Sequence, residues 1–397
     1  MLISRSFAAG FVALLAVIFA LRCHSTYGVF NDTKDEAVHI ASGLELWHSG
    51  RYTVDLQHPP LARLAFGLTA RLAGLRYASP RALWAAGGVD SYWRTLAAAR
   101  MGNLIFVPLL LWYVFIWGRQ LYGPAAGLLA AALASLSPNL LAHAALATVD
   151  FGAATTSFIA AYYFWRWSRE PGSRNCLKAA LAFGVAALTK FSALVFVPAM
   201  AALFFLVARW NKRPGLNPQR WWAALQRAAL FSAVVLLLMW GGYLFDVGLL
   251  PQAVFFAPHG SFAHRVVGAV ETLAGHRKIP APALARGVLQ VLAKNAAGHP
   301  SYLLGRIRQF GWWYYFPLAL AVKTALPMLL LVAAGLALWA LKAGGEQATA
   351  MRDPLTALAI ILLISMSSTL NLGVRYILVI YPFFALIAAG VDRKSVV

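Results

Sequence analysis

Apolar residues run together along most of this chain. Stretches with few or no charges fall near 7–23, 97–117, 124–141, 150–167, 177–189, 192–208, 223–245, 317–341, 355–371 and 374–391. Several approach the roughly 20 residues that a helix needs to cross the hydrocarbon core of a bilayer. The pattern predicts an all-α, polytopic membrane protein with about ten transmembrane helices. Stretch 177–208 fits either one long span or a hairpin of two short spans broken around Lys190. Loop charge separates the two, because Lys and Arg accumulate in short cytoplasmic loops. With the N-terminus inside and a hairpin at 190, the inside loops are 118–123 (Arg119), 166–178 (Arg166, Arg169, Arg174, Lys178), 209–222 (Arg209, Lys212, Arg213, Arg220), 342–354 (Lys342, Arg352) and the tail (Arg393, Lys394). The short outside loops then carry chiefly Lys190 and Arg375. A single span would turn the Arg209–Arg220 cluster outward, so the hairpin is the expected arrangement.

Two long segments, 24–96 and 246–316, remain outside, where long loops are largely exempt from the charge rule. The first contains amphipathic stretches, Pro60 to Leu75 and Asp90 to Arg100, expected to lie in the interface. The second is rich in Gly, His and Pro. There is no internal repeat, and residues 1–397 read as one transmembrane domain. The first apolar segment, behind Arg5, is followed by no A-x-A-like cleavage site and reads as an uncleaved signal anchor. Cys23 and Cys176 fall on opposite sides of the membrane, so no disulfide is expected.

Composition agrees with a membrane chain: 61% of residues are apolar and 12% charged, against about half and about a quarter in soluble domains. The net charge of +21 comes from 34 Lys and Arg against 13 acids. In such a chain the excess suits loops that meet anionic headgroups of the lipid bilayer, with glycan or lipid phosphates as a second partner; no nucleic acid is implied. No phosphate-binding glycine loop and no H-E-x-x-H motif occurs, so a cytosolic nucleotide site is unsupported.

Against this background, Asp32, Asp35, Glu36, Glu45 and Asp55 crowd into 24 positions. A carboxylate beside lipid is costly, so a cluster of them points to function. The topology sorts Asp35, Glu36, His39, Asp55, His58, Asp150, Lys190, His299 and Arg375 to the outer face. Adjacent carboxylates, as at Asp35-Glu36, repel one another and suit a general base, although acids also favour a helix start. If 35–48 is helical, Asp35 and His39 share a face and Glu36 does not, so the two acids have different tasks. His58-Pro59-Pro60, with Asp55 three residues earlier, forms a rigid turn that aims a side chain or starts a helix. Asp150 caps a membrane helix or faces the site. Lys190 snorkels from a hairpin tip or pairs with a phosphate. Arg375, at the start of the last helix, offers a planar fork for phosphate or anchors the interface. The aromatic run Trp312-Trp313-Tyr314-Tyr315-Phe316 suits an interfacial belt or stacking on a sugar or isoprenoid, and Lys323 inside the following helix lies near the same surface. A divalent metal could use Asp35, Glu36, His39 or His58, but no spacing is diagnostic, so cofactors stay open.

D-E-x-x-H at 35–39 followed by G-R-Y-x-x-D-x-x-H-P-P-L at 50–61 resembles the first external loop of protein O-mannosyltransferases and the aminoarabinose-transferase-like group, integral-membrane glycosyltransferases of the GT-C class. T-V-D-F at 148–151, L-T-K-F-S-A-L at 188–194, G-W-W-Y-Y-F-P-L-A-L-A-V-K-T-A-L-P at 311–327 and G-V-R-Y-I-L-V-I-Y-P at 373–382 follow in the same order. The resemblance implies a GT-C fold and transfer of a sugar from a polyprenyl-phosphate carrier to a hydroxyl acceptor at the periplasmic or lumenal face of a cell membrane, the bacterial inner membrane by preference. It implies Asp35 as catalytic base, and Glu36 as the neighbour that orients substrate or holds a metal. It implies Arg375 on the carrier phosphate, with Lys190 as helper. His39, Asp55, His58 and Asp150 complete the expected substrate-binding set. Asp55 and His58 are also expected to shape the loop, and Asp32 and Glu45 to be solvated. Relatives carry further helices or a soluble domain after the last motif, so the resemblance implies a truncated sequence or a short member. The 246–316 loop is too short for the soluble domain of the protein mannosyltransferases, which puts a protein acceptor in doubt.

Two other classes compete with this reading. A transporter or flippase of lipid-linked sugars would show matched halves and polar residues near the membrane centre, and neither is seen here. A non-catalytic assembly factor leaves the acidic cluster unexplained.

Overall fold

Helix α1 spans Arg5–His24 and is capped by Ser4, whose hydroxyl accepts from the Phe7 amide at 3.1 Å. The computed structural model describes residues 4–76, 79–85, 88–209, 218–252, 257–341 and 346–392. After α1 the chain forms helices α2 (Glu36–Ser49), α3 (Leu61–Leu72) and the short α4 (Ala82–Ala85). Helices α2 and α3 cross at two glycines. A Cβ on Gly43 would sit 2.0 Å from the Arg63 carbonyl oxygen, and one on Gly67 would sit 2.3 Å from the Gly43 carbonyl carbon, so the backbones touch and any side chain would part them.

Helix α5 (Gly88–Met101) passes through a 3-10 turn into α6 (Phe106–Tyr122), giving one helical run of 35 residues that is most apolar in its α6 half. At 1.5 Å per residue this is about 52 Å long, well beyond a hydrocarbon core of about 30 Å. Residues 90–100 continue directly into the α6 helix through this turn. Their apolar side, Leu96, Ala98 and Ala99, is buried in protein and not in lipid.

The predicted span 124–141 is two helices, α7 (Pro124–Ser135) and α8 (Pro138–Ala144), bent by 58°. The break precedes Pro138, where helical backbone is disfavoured. Helix α9 runs from Val149 to Arg169, α10 from Ser173 to Thr189 and α11 from Ala193 to Arg209. Lys190 between the last two is extended, at φ −158° and ψ 136°. The chain reverses there. Lys190 reaches Asp150 at the start of α9, whereas Phe205, late in α11, stacks edge-on against Trp167 at the end of α9, with centroids 5.1 Å apart. Both arms thus lie along α9 in opposite senses, as a hairpin requires. Helix α12 (Pro218–Gly242) packs on α10.

The second external segment holds β1 (Val247–Gly248) antiparallel to β2 (Ile279–Pro280), helices α13 (Phe262–Ala274) and α14 (Pro282–Ala297), and the hairpin β3 (Ser301–Leu303) with β4 (Arg306–Arg308). Helix α14 rests on the first external loop, where Lys294 Nζ donates to Gln57 Oε1 at 3.0 Å. Stretch 317–341 is also broken: α15 (Tyr315–Lys323) and α16 (Leu326–Leu341) meet at 118° across an extended Thr324. Lys323 consequently ends the first, short arm of this bent pair. Helix α17 (Glu346–Met366) is followed by a 3-10 turn at Val374–Ile377 and α18 (Ile380–Ala389), whose residues are all buried.

Among the described residues, three helices are individually long and apolar enough to cross a membrane, Arg5–His24, Gly88–Tyr122 and Trp221–Gly242, and the two bent pairs each qualify together. The core centres on Trp117, fully buried, with the rings of Phe158 and Phe383 at 5.1 and 5.6 Å. Cys23 and Cys176 are both buried and unbridged. Of the cations that set the expected orientation, Lys212, Arg213, Lys342, Arg393 and Lys394 lie outside the described residues.

Candidate active site

Four remote segments meet at one end of the helix bundle: the start of α2, the start of α9, the reversal at Lys190 and the turn at Val374–Ile377. Asp35 is the residue preceding α2, and Arg375 stands on the 3-10 turn, one turn before the last helix begins. Gly373, at φ +84°, lets the backbone double back to place it. Arg375 Nη1 donates to Asp35 Oδ2 at 2.7 Å, and the two side chains are 35% and 41% exposed. Beside them Lys190 Nζ donates to Asp150 Oδ1 at 2.6 Å, this pair being nearly buried, and the ammonium lies 4.8 Å from the Tyr376 ring centroid. Arg375 is close enough to Asp150 to act on its charge. The site is thus two neighbouring acid–cation pairs, one open and one closed.

Glu36 points away from them. It is fully buried, accepting from Arg100 Nε at 2.8 Å and Nη2 at 3.0 Å, from the Thr33 amide at 2.8 Å and from the Ala147 amide at 2.8 Å. Arg100 also donates to the carbonyls of Phe30 and Asn31 at 2.9 Å. Glu36 therefore ties the first external loop to α5 and to the approach to α9. Its oxygens have no direction left for a substrate or a metal, contrary to the role expected of it. Asp35 is engaged by Arg375, and His39 accepts from Arg63 on Nδ1 at 3.0 Å. Among the described residues, no three His, Cys, Asp or Glu side chains are grouped to hold a metal ion. The donors expected for a divalent metal do not fit one.

Arg63, fully buried on α3, organises the remaining candidates. Its Nη1 donates to Tyr52 Oη and to the Asp55 carbonyl at 2.7 Å, and its Nη2 donates to the Asp55 carboxylate. Asp55 Oδ2 lies 3.1 Å from His58 Nδ1, and the His39 and His58 rings meet edge to face at 5.0 Å. Burial opposes charge on Asp55, but the hydrogen bond from His58 and the Arg63 guanidinium hold its carboxyl well below the usual range. Burial, then the Arg63 cation, lowers His39 strongly, and the same order of causes lowers His58. Burial pushes the Tyr52 phenol up to about 12. Asp35, just before α2, and His39, on its first turn, do not share a site, because His39 turns inward to Arg63. Glu45, expected in solvent, is buried and accepts from the amides of Thr53 and Val54 at 2.8 and 3.1 Å. Asp32 accepts from Tyr92 Oη at 2.9 Å. Four of the five clustered acids therefore hold the loop together, and Asp35 alone is paired at the open site.

Three residues of this region carry no sequence signal. Arg63 and Arg100 are two of 34 cations in the chain, and nothing in their spacing marks them as buried. His143, on α8, feels the charges of Asp150, Arg375, Lys190 and Lys323, and its Nδ1 is buried without a partner among the described residues.

Residues 92–240 match the sequence model of the dolichyl-phosphate-mannose-protein mannosyltransferase family. No curated protein matches the sequence. Among solved structures, the chain is similar to ArnT of Cupriavidus metallidurans bound to undecaprenyl phosphate, with a TM-score of 0.60 at 16% identity over 97% of this chain and 61% of that one. It is also similar to the oligosaccharyltransferase AglB of Archaeoglobus fulgidus, with a TM-score of 0.53 at 14% identity over 95% of this chain and 50% of that one. The chain spans about six tenths of the length of ArnT. The protein has the polytopic GT-C membrane fold, and its residues 92–240 carry the sequence pattern of the dolichyl-phosphate-mannose-protein mannosyltransferases.

Proposed function

We propose that this chain is a membrane glycosyltransferase that moves a sugar from a polyprenyl-phosphate carrier to a hydroxyl acceptor, acting at the periplasmic face of the inner membrane. The observation that carries the reading is the open Asp35–Arg375 pair. A carboxylate and a guanidinium, both half-exposed, are the two groups this displacement needs: a base for the acceptor hydroxyl and a cation for the leaving phosphate. Asp35 takes the acceptor proton, the acceptor oxygen bonds to the anomeric carbon, and the bond from that carbon to the phosphate oxygen breaks. The carrier leaves as polyprenyl phosphate against Arg375, and direct displacement inverts the anomeric centre. Arg375 is held by Asp35. A phosphate that takes the guanidinium frees the carboxylate to act as base, so donor binding itself arms the site. Lys190, already neutralised by Asp150, adds a weaker positive field. A nucleotide has no role in this chemistry, which accords with the missing phosphate loop.

ArnT with undecaprenyl phosphate and AglB with dolichol-phosphate support a polyprenyl-phosphate donor for this fold. The test against a flippase uses proteoliposomes containing polyprenyl-phosphate hexoses labelled in the sugar. A transferase cleaves the donor and releases free polyprenyl phosphate, with label moved to an added hydroxyl acceptor. A flippase moves intact donor between leaflets and leaves the sugar–phosphate bond whole; that result would overturn the reading.

A further inference from the structure

Two cavities meet at Lys178, at the end of α10 opposite the reversal that places Lys190. The first, about 520 Å³, is a slot between α3, α6, α9 and α10, walled by residues such as Leu61, Leu68, Leu109, Leu181 and Val185. Leu68, Leu109, Leu181 and Val185 are exposed, so the slot opens sideways to lipid. Its few polar atoms are already satisfied: the Tyr113 and Tyr163 hydroxyls bond each other at 2.7 Å, and Thr156 Oγ1 donates to the Gly152 carbonyl at 2.9 Å. Nothing inside it calls for a polar ligand.

At its inner end the slot reaches Lys178, and there a second cavity of about 540 Å³ begins, lined by Arg166, Glu170, Arg174, Asn175 and Lys178 around the α9–α10 turn. Arg166 Nη2 pairs with Glu170 at 2.6 Å, and Asn175 Nδ2 donates to the Glu170 carbonyl at 2.8 Å. Glu170 thus cancels one of three cations. Among the described residues, Arg174 and Lys178 have no hydrogen bond or ion pair, and Arg166 Nε is buried without a partner. Two surplus positive charges and one unmet donor therefore stand where the apolar slot ends.

We propose that slot and pocket together bind one anionic phospholipid of the inner leaflet, an acyl chain lying in the slot and the headgroup phosphate among Arg166, Arg174 and Lys178. Basic pockets between helices on the cytoplasmic side select such headgroups. A zwitterionic lipid brings its own ammonium, which the surplus charge repels. The stem of Lys178 can lie along the acyl chain while its ammonium meets the phosphate. A carrier lipid engaged at Asp35 keeps its phosphate at the other membrane face.

The test uses delipidated full-length protein in detergent, titrated with dioleoylphosphatidylglycerol or dioleoylphosphatidylcholine and read by native mass spectrometry. Two cations near an anionic headgroup predict a phosphatidylglycerol preference of roughly 10–30-fold in wild type. The double variant Arg174→Gln/Lys178→Gln loses most of that preference, and breaks no internal bond in doing so. The charge-matched control Arg265→Gln/Arg277→Gln, at exposed positions on the external segment, keeps it. Leu181→Trp, which fills the slot, weakens binding of both lipids with every cation in place. An unchanged preference in the Arg174/Lys178 variant overturns the proposal. So does equimolar undecaprenyl phosphate displacing the phosphatidylglycerol, which assigns the slot to the carrier.

Discussion

Arg375 Nη1 donates to Asp35 Oδ2 at 2.7 Å across 340 residues of sequence, joining the last part of the fold to the first external helix. The contact holds a base and a phosphate-binding cation together while both stay accessible. If donor phosphate competes with Asp35 for the guanidinium, Arg375→Ala raises the donor KM by at least about tenfold, the cost of one charge-assisted bond, and lowers kcat as the leaving phosphate loses its cation. Arg375→Lys keeps the charge but loses the fork and falls between the two. Steady-state kinetics with purified variants measure both, and a normal donor KM in Arg375→Ala contradicts the assignment.

Lys190 and Asp150 form a nearly closed pair, so their separate deletions are predicted to be unequal to their joint deletion. Lys190→Met leaves Asp150 buried and uncompensated, which lowers the unfolding temperature and the activity together. Asp150→Asn with Lys190→Met removes both charges and recovers most of the stability. If Lys190 also lends field to the leaving phosphate, the double variant stays less active than wild type despite melting like it. Thermal unfolding beside turnover separates the two effects.

Glu36 and Arg100 are buried together, and removing either leaves a charge without its partner. Arg100→Leu or Glu36→Gln is predicted to cost about 3–5 kcal/mol of stability, the range for breaking a buried pair. The loss reports on the fold and not on chemistry. Glu36→Gln protein that survives purification keeps its donor KM, whereas a substrate-orienting Glu36 would show a raised KM at normal stability.

Acid should loosen the first external loop in two stages. His39 and His58 have folded values below the ordinary 6.5, so the folded state prefers them neutral. Their stability is full above pH of about 6.5 and is lost as pH falls below it. Asp55 is held well below its ordinary 3.8, so its contribution is full above that value and disappears at still lower pH. Unfolding temperature measured from pH 8 to pH 4 therefore declines mainly below about pH 6.5. His39→Gln, which cannot titrate, flattens the first stage.

Spans were legible where a run of apolar residues had to be buried, and the reversal at Lys190 was legible from where the cations fall on either side of it. The bends before Pro138 and at Thr324 were not, because hydropathy continues smoothly through both. Motif and topology brought Asp35 and Arg375 to one surface. They gave Asp35 and Glu36 different tasks but not the burial of Glu36 on Arg100, because that depends on which way each side chain leaves the start of α2. Asp35 precedes the helix and faces Arg375, and Glu36, one residue later, is swung into the protein onto Arg100. Nor could they separate binding acids from clamping ones. Glu45 and Asp55 look equally available as letters, and only the amides of Thr53 and Val54 and the buried Arg63 show that both are committed to the loop.

The central claim is that Asp35 is the base of a sugar transfer, and the most direct measurement is turnover of radiolabelled polyprenyl-phosphate hexoses by purified wild type beside Asp35→Asn, in the presence of membrane-extracted hydroxyl acceptors. Asparagine keeps the shape and can still meet Arg375, but it cannot take a proton. The account predicts label transfer by wild type with release of polyprenyl phosphate, and a fall of about 100-fold or more in kcat for Asp35→Asn at a donor KM no higher than that of wild type. Equal turnover in the two proteins, or no donor consumed by wild type with any hexose, would contradict it.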